Sequence, residues 1–276
     1  MKPMMVLLAM ASVLSGCSSS RQVERRTNLM SYLYPQAQAA PEPDPQGAAL
    51  QLPLKVGIAF VPSDNQHREV LSGDQQEQLL NIVRDSFKER DWVREIVIIP
   101  TTYLRSGGGF ENLDQATRMF GTDVVALVSV DQLQNSNPTR ASFLYLTIIG
   151  AYVLPLDKND TRTLIDAAVF HVPSRTFLLR APGTNHLQGY SAAVDVSETM
   201  AAKAERSFTL AMKDLAANLD TEIRSFKAEV ASGERKDVDI VTREGTSVRS
   251  GGSASFGPLG ALAAMILAVA IARSRR

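Results

Sequence analysis

Cysteine is almost absent from this chain, with 1 in 276 residues, so no internal disulfide can form. Histidine is nearly as scarce. His67, His171 and His186 are the only 3, and none stands three or four residues from another histidine or from the cysteine, as a helical zinc site of those ligands requires. No excess of charge is present either: 29 Lys and Arg stand against 29 Asp and Glu, for a formal net charge of zero. No long Lys/Arg run occupies the middle of the chain, which argues against a nucleic-acid partner. A G-x-S-x-G elbow is missing, and so is a dinucleotide fingerprint. Ser106-Gly107-Gly108-Gly109 precedes a helical pattern but no lysine follows at P-loop spacing, so a flexible surface loop is expected there. Asp157, Asp160 and Asp166 are expected around a hairpin turn, where aspartate ordinarily collects, rather than at a calcium site. Trp92, the only tryptophan, is expected to pack at a helix end. Together these absences predict no enzyme, no cofactor and no metal.

The informative cysteine is Cys17. Met1 to Cys17 reads MKPMMVLLAMASVLSGC, with Lys2 as a positive start and Met4 to Leu14 as a short apolar run. That run is too short to span a membrane and has the form of a secretory signal. Leu14-Ser15-Gly16-Cys17 resembles the bacterial lipobox, which implies cleavage between Gly16 and Cys17 and acylation of the Cys17 thiol. Several acyl chains, at ~0.8 kcal/mol per buried CH₂, make such an anchor permanent. Ser18 in the next position is permissive for transport to the outer membrane, where aspartate in lipoproteins tends to retain the protein at the inner one.

The other end carries Gly251-Gly252, a polar spacer, the uncharged run Phe256 to Ala272 and then Arg273, Arg275 and Arg276. About 17 residues at ~1.5 Å give a helix of about 26 Å, just short of the hydrocarbon core. Positive residues stay cytoplasmic, so the arginines place Gly251 and the residues before it outside, in agreement with the lipobox. A plain C-terminal anchor is one reading. The order of glycine pair, short apolar run and arginines resembles the GlyGly-CTERM sorting tail, the substrate signal of rhombosortases, intramembrane proteases of the rhomboid family. Adjacent glycines destabilise helix by about 1 kcal/mol each, which suits a bond that must unwind for cleavage. Lipobox and tail together resemble the rhombotarget lipoprotein family. The resemblance implies lipoprotein-processing enzymes and a rhombosortase as processing partners. It also implies a transient inner-membrane tail and a final outer-membrane lipoprotein with a periplasmic or surface domain.

Between the ends we expect a Pro/Ala/Gln-rich tether over residues 17–49, one extracytoplasmic domain over 50–231 and a polar linker over 232–255, with the signal peptide at 1–16 and the tail at 256–276. The domain reads as α/β with a mixed sheet. Leu52–Pro62, Glu95–Pro100 and Asp123–Val130 are apolar, β-branched runs predicted as buried strands. They alternate with helices from Asp74 to about Arg90, with Asp74 and Glu77 at capping-box spacing, and from Leu113 to Phe120, closed by Gly121. Ser142–Leu154, Thr163–Val172 and Thr176–Arg180 follow as antiparallel strands. A long helix, about Ala192 to Val230, shows a stripe of Met200, Ala204, Phe208, Ala211, Leu215, Leu219, Ile223 and Phe226. The order resembles the α/β domains of envelope lipoproteins such as the curli-secretion lipoprotein and the amino-terminal domain of the Tol-system propeller protein. That resemblance carries no residue across. The leading expectation is a non-enzymatic module that binds an unknown protein partner or oligomerises. The rivals are a periplasmic hydrolase, which a deep pocket with converging carboxylates or His171 would favour, and a secretion-complex subunit with Ser142–Leu154 as its membrane hairpin.

Overall fold

The computed structural model describes residues 21–35, 47–63, 70–138, 157–191 and 195–242. Cys17, Gly251, Gly252, Arg273, Arg275, Arg276, His67 and the Ser142–Leu154 stretch lie outside them. The described elements are β1 (Arg21–Arg26), α1 (Leu29–Leu33), β2 (Ala48–Leu52), β3 (Leu54–Phe60), α2 (Gly73–Phe87), β4 (Val93–Ile98), α3 (Gly109–Phe120), β5 (Val124–Pro138), β6 (Asp157–His171), β7 (Thr176–Ser191), α4 (Val196–Ser232) and β8 (Val238–Thr242). The fold is α/β with a mixed sheet, as the pattern predicts. β3 lies between β4 and β5 and runs parallel to both, while β5, β6 and β7 continue antiparallel.

The sheet has two halves with different surroundings. In the first, both faces are covered. Ile58, Phe60, Ala126, Val128 and Ile165 pack under α2 and α4, while Ala59, Val61, Val125, Leu127 and Phe170 pack under α1 and α3. Strands buried on both sides become continuous apolar runs, which is why they are legible. In the second half β3 has ended, and β1 takes its place beside β5, pairing Arg21–Arg26 with Asp131–Ser136. There α4 covers one face only. No described helix covers the other, which presents Asp131, Asp160, Arg162, His186 and Tyr190.

Several boundaries differ from the sequence reading. The expected tether contributes β1 and α1, with Tyr32 fully buried. The expected 232–255 linker contributes β8, which pairs parallel with β2. These segments are ordered by partners far along the chain, which local composition does not reveal. The capping box of α2 belongs to Ser72 and Gln75, not to Asp74 and Glu77. Ser72 holds the extended backbone of an N-cap, whereas Asp74 is already inside the first turn. Gly121 closes α3 in the left-handed region, as expected. The 37-residue α4 is about 56 Å long, which matches the long strands beneath it. Seven of its eight predicted stripe residues are buried and Ile223 is partly so. Among the described residues no helix is long and apolar enough to cross a membrane.

Candidate functional site

A cavity of about 780 Å³ opens where β3 and β4 end. Ligands of α/β sheets commonly bind at the carboxyl ends of parallel strands, because the diverging connections leave a crevice there. One wall is Phe60, Val61, Pro62 and Ser63, leaving β3; another is Ile98 to Thr102, leaving β4. The first turns of α2 contribute Gln76, Glu77 and Leu80, and the loop before α3 contributes Leu104, Arg105 and Ser106.

Three polar side chains of this cavity, Thr27, Gln76 and Thr101, already have partners. Thr101 Oγ1 contacts Gln76 Oε1, and Gln76 Nε2 donates to the Leu71 carbonyl at 3.0 Å. Thr27 Oγ1 accepts from the Val130 N–H at 2.9 Å. Glu77 and Arg105 are the charged residues of the described lining. The loop holding Arg105 is built by Asn112, which is buried: its Oδ1 accepts from the Arg105 N–H at 2.7 Å and its Nδ2 donates to the Tyr103 carbonyl at 3.2 Å. The glycine loop is therefore pinned rather than loose. Gly107 and Gly109 sit at φ +62, and a Cβ on Gly108 would fall 2.7 Å from Asn112 Cβ. Its glycines satisfy this packing and form no phosphate cradle with a lysine.

Among the described residues, no carboxylates converge here as a hydrolase would need: Glu77 is the only acid of the described lining. His171 does not line the cavity. It ends β6, with Nδ1 2.6 Å from Ser174 Oγ, which lies 2.8 Å from Thr176 Oγ1. Burial lowers the His171 pKa below its ordinary 6.5, against a partial opposing effect of the Asp123 charge. The folded protein therefore binds fewer protons at His171 than the unfolded chain as pH falls past 6.5, and stability is lost in that direction. His171→Asn is expected to flatten the fall in stability between pH 7.5 and 5.5, measured by urea unfolding. A His171 pKa above 6.5 by NMR would contradict it.

The three aspartates do not surround a turn. All lie on β6, where side chains alternate: Asp157 faces α4, while Asp160 and Asp166 face the uncovered side. Asp160 accepts from His186 Nε2 at 3.0 Å, Arg162 Nε at 3.2 Å and Gln188 Nε2 at 3.3 Å. Burial alone would raise its carboxyl, but His186, Arg162 and Gln188 outweigh that and hold it below the usual range. Asp166 accepts from Arg180 Nε at 2.6 Å. Among the described residues no group of three or more His, Cys, Asp or Glu is placed to hold a metal. Trp92 packs against Phe87, with ring centroids 6.3 Å apart.

The second half of the sheet hides a polar layer that sequence reasoning missed. Gln132, Gln134, Asn159, Thr161, Thr163 and Ser207 are buried between β5, β6 and α4. The alternation of these residues along β5 and β6 is the available signal, but it reads as exposed strand.

No family model matches the chain, and no curated protein matches it. Solved structures with some likeness include the PelC dodecamer from Paraburkholderia phytofirmans, 11% identical over 71% of this chain and 99% of that one, with a TM-score of 0.28. A protein from Xanthomonas campestris is 12% identical over 68% of this chain and 93% of its own, at 0.30. A hypothetical protein from Chlamydia trachomatis is 14% identical over 64% and 95%, at 0.24. Likeness at these TM-scores assigns neither fold nor function.

Proposed function

We propose that this chain is an exported bacterial lipoprotein, acylated at Cys17 and trimmed near Gly251-Gly252 by a rhomboid-family protease. Its α/β domain is a non-enzymatic binding or assembly module of the cell envelope. The observation that carries the reading is Leu14-Ser15-Gly16-Cys17, which puts the chain's only cysteine directly behind a signal-like apolar run. The opposite end supports the same topology, since Arg273, Arg275 and Arg276 favour the cytoplasm and leave the domain outside. Two anchors then have different lifetimes. A lipoprotein still held by a spanning tail cannot be lifted from the inner membrane, and cleavage leaves the lipid as sole anchor. The reading of the domain as a binding module is supported by the 780 Å³ cavity and by the half-sheet face that no described helix covers.

The test is the intact mass of the protein purified from its native membranes. The expected species begins at Cys17 with added acyl mass and ends near Gly252. Cys17→Ser is expected to abolish the acyl mass and leave the signal segment attached. A species with an unmodified Cys17, or one that retains Arg276, would overturn the corresponding half of the proposal.

A further inference from the structure

A second cavity lies where the β2–β8 pair, α2 and the last turns of α4 meet the sheet. It shares no lining residue with the first. Its volume is about 110 Å³, and its wall is carbon only. Leu52, Val56, Trp92, Ile96, Ile223 and Ile240 around it are only partly buried, so apolar surface here is not sealed into the core. Water entering such a space finds no hydrogen-bond partner, and an apolar occupant is favoured.

Asp91 and Asp220 both lie within electrostatic reach of Lys227, but neither lines this cavity. Lys227 is the only charged residue among the described residues lining it, and its ammonium stands 4.9 Å from the centre of the Trp92 ring. Nearby Asp220 is engaged by both Arg90 and Arg224. Cavities of roughly 150 Å³ with Leu, Ile and Phe walls hold a benzene ring, so this one takes about four carbons in depth.

We propose that this cavity receives the end of a single aliphatic chain from a free carboxylate amphiphile, with Lys227 as counter-ion to its head group. A carbon-only wall selects the chain, the small volume admits one and not two, and the Lys227 ammonium, off that wall and over the Trp92 ring that lines it, selects the sign of the head. The proposal is independent of the anchors at either end of the protein.

The experiment photolabels the full-length chain, in native membranes, with a fatty acid that carries a diazirine at the end of its chain. Adducts are expected in peptides containing Val83–Phe87, Trp92–Ile96 and Ile223–Phe226. Sodium butanoate, hexanoate and octanoate are expected to compete with a gain of about fourfold per methylene until the cavity is filled, and to level off beyond it. Lys227→Gln, an exposed change that spares the core, is expected to keep the adduct positions but remove the advantage of octanoate over octanol. Adducts confined to other peptides would overturn the proposal, as when a segment of this chain or a partner's side chain fills the space. Competition without chain-length dependence, or an octanoate preference that survives Lys227→Gln, would overturn it as well.

Discussion

Replacing Gly183 by alanine is expected to destabilise the protein by about 3 kcal/mol, the upper end of what overpacking a core costs. Gly183 lies in β7 opposite Ile165, on the face that α4 covers. A Cβ built there would stand 2.2 Å from the Ala211 carbonyl oxygen, 2.5 Å from Leu215 Cβ and 2.6 Å from Leu215 N. Two of these are helix backbone atoms, which cannot rotate aside as a side chain end can. The helix would have to lift where Ala211, Met212 and Leu215 are fully buried. Urea unfolding of the full chain should show a lower midpoint with an unchanged slope, since the area exposed on unfolding is the same. A midpoint equal to the parent's would mean that α4 does not approach the strand this closely.

Arg25→Met is expected to cost about 2–4 kcal/mol, through two buried acceptors left without a donor. The Arg25 guanidinium donates from Nη1 to Gln132 Oε1 at 3.0 Å and to Gln134 Oε1 at 2.9 Å. Both amides are essentially unexposed, at 0% and 2%. Their nitrogens are committed elsewhere. Gln132 Nε2 donates to Thr163 Oγ1 at 2.8 Å and to the Ala204 carbonyl at 3.2 Å. Gln134 Nε2 donates to Thr161 Oγ1 at 3.2 Å and to the Met200 carbonyl at 2.6 Å. Neither amide can turn over to find a new partner without breaking those bonds. Removing both sides of the interaction should be milder than removing one. Gln132→Leu is therefore expected to cost less in the Arg25→Met background than alone, and a double-mutant cycle should give a coupling of about 1–2 kcal/mol. Strict additivity would mean that the polar layer is not held together by Arg25.

Cys17, Gly251-Gly252 and the terminal arginines are motifs, and the anchoring proposal rests on the sequence alone. The sequence by itself also determined the α/β class, the alternation from β3 to β5, the β6–β7 hairpin and the buried stripe of α4. Each has a local cause. A strand covered on both faces must be apolar throughout, a helix covered on one face must repeat its apolar residues every three or four positions, and Gly121 supplies the left-handed residue that ends α3.

Only the tertiary structure decided the rest. Arg21–Arg26 is RQVERR, and Asp131–Pro138 is DQLQNSNP; neither has an apolar period, yet each pairs along its length. Their inward residues are satisfied by hydrogen bonds to α4 and to each other rather than by carbon contacts, so hydropathy carries no trace of their burial. β2 finds β8 almost the whole length of the domain away, and the two cavities exist only where strand ends, helices and that pair meet. A sequence records what each residue prefers as its surroundings. Which distant residue supplies those surroundings is settled by the fold, because polar partners can satisfy one another in many pairings and only packing selects one.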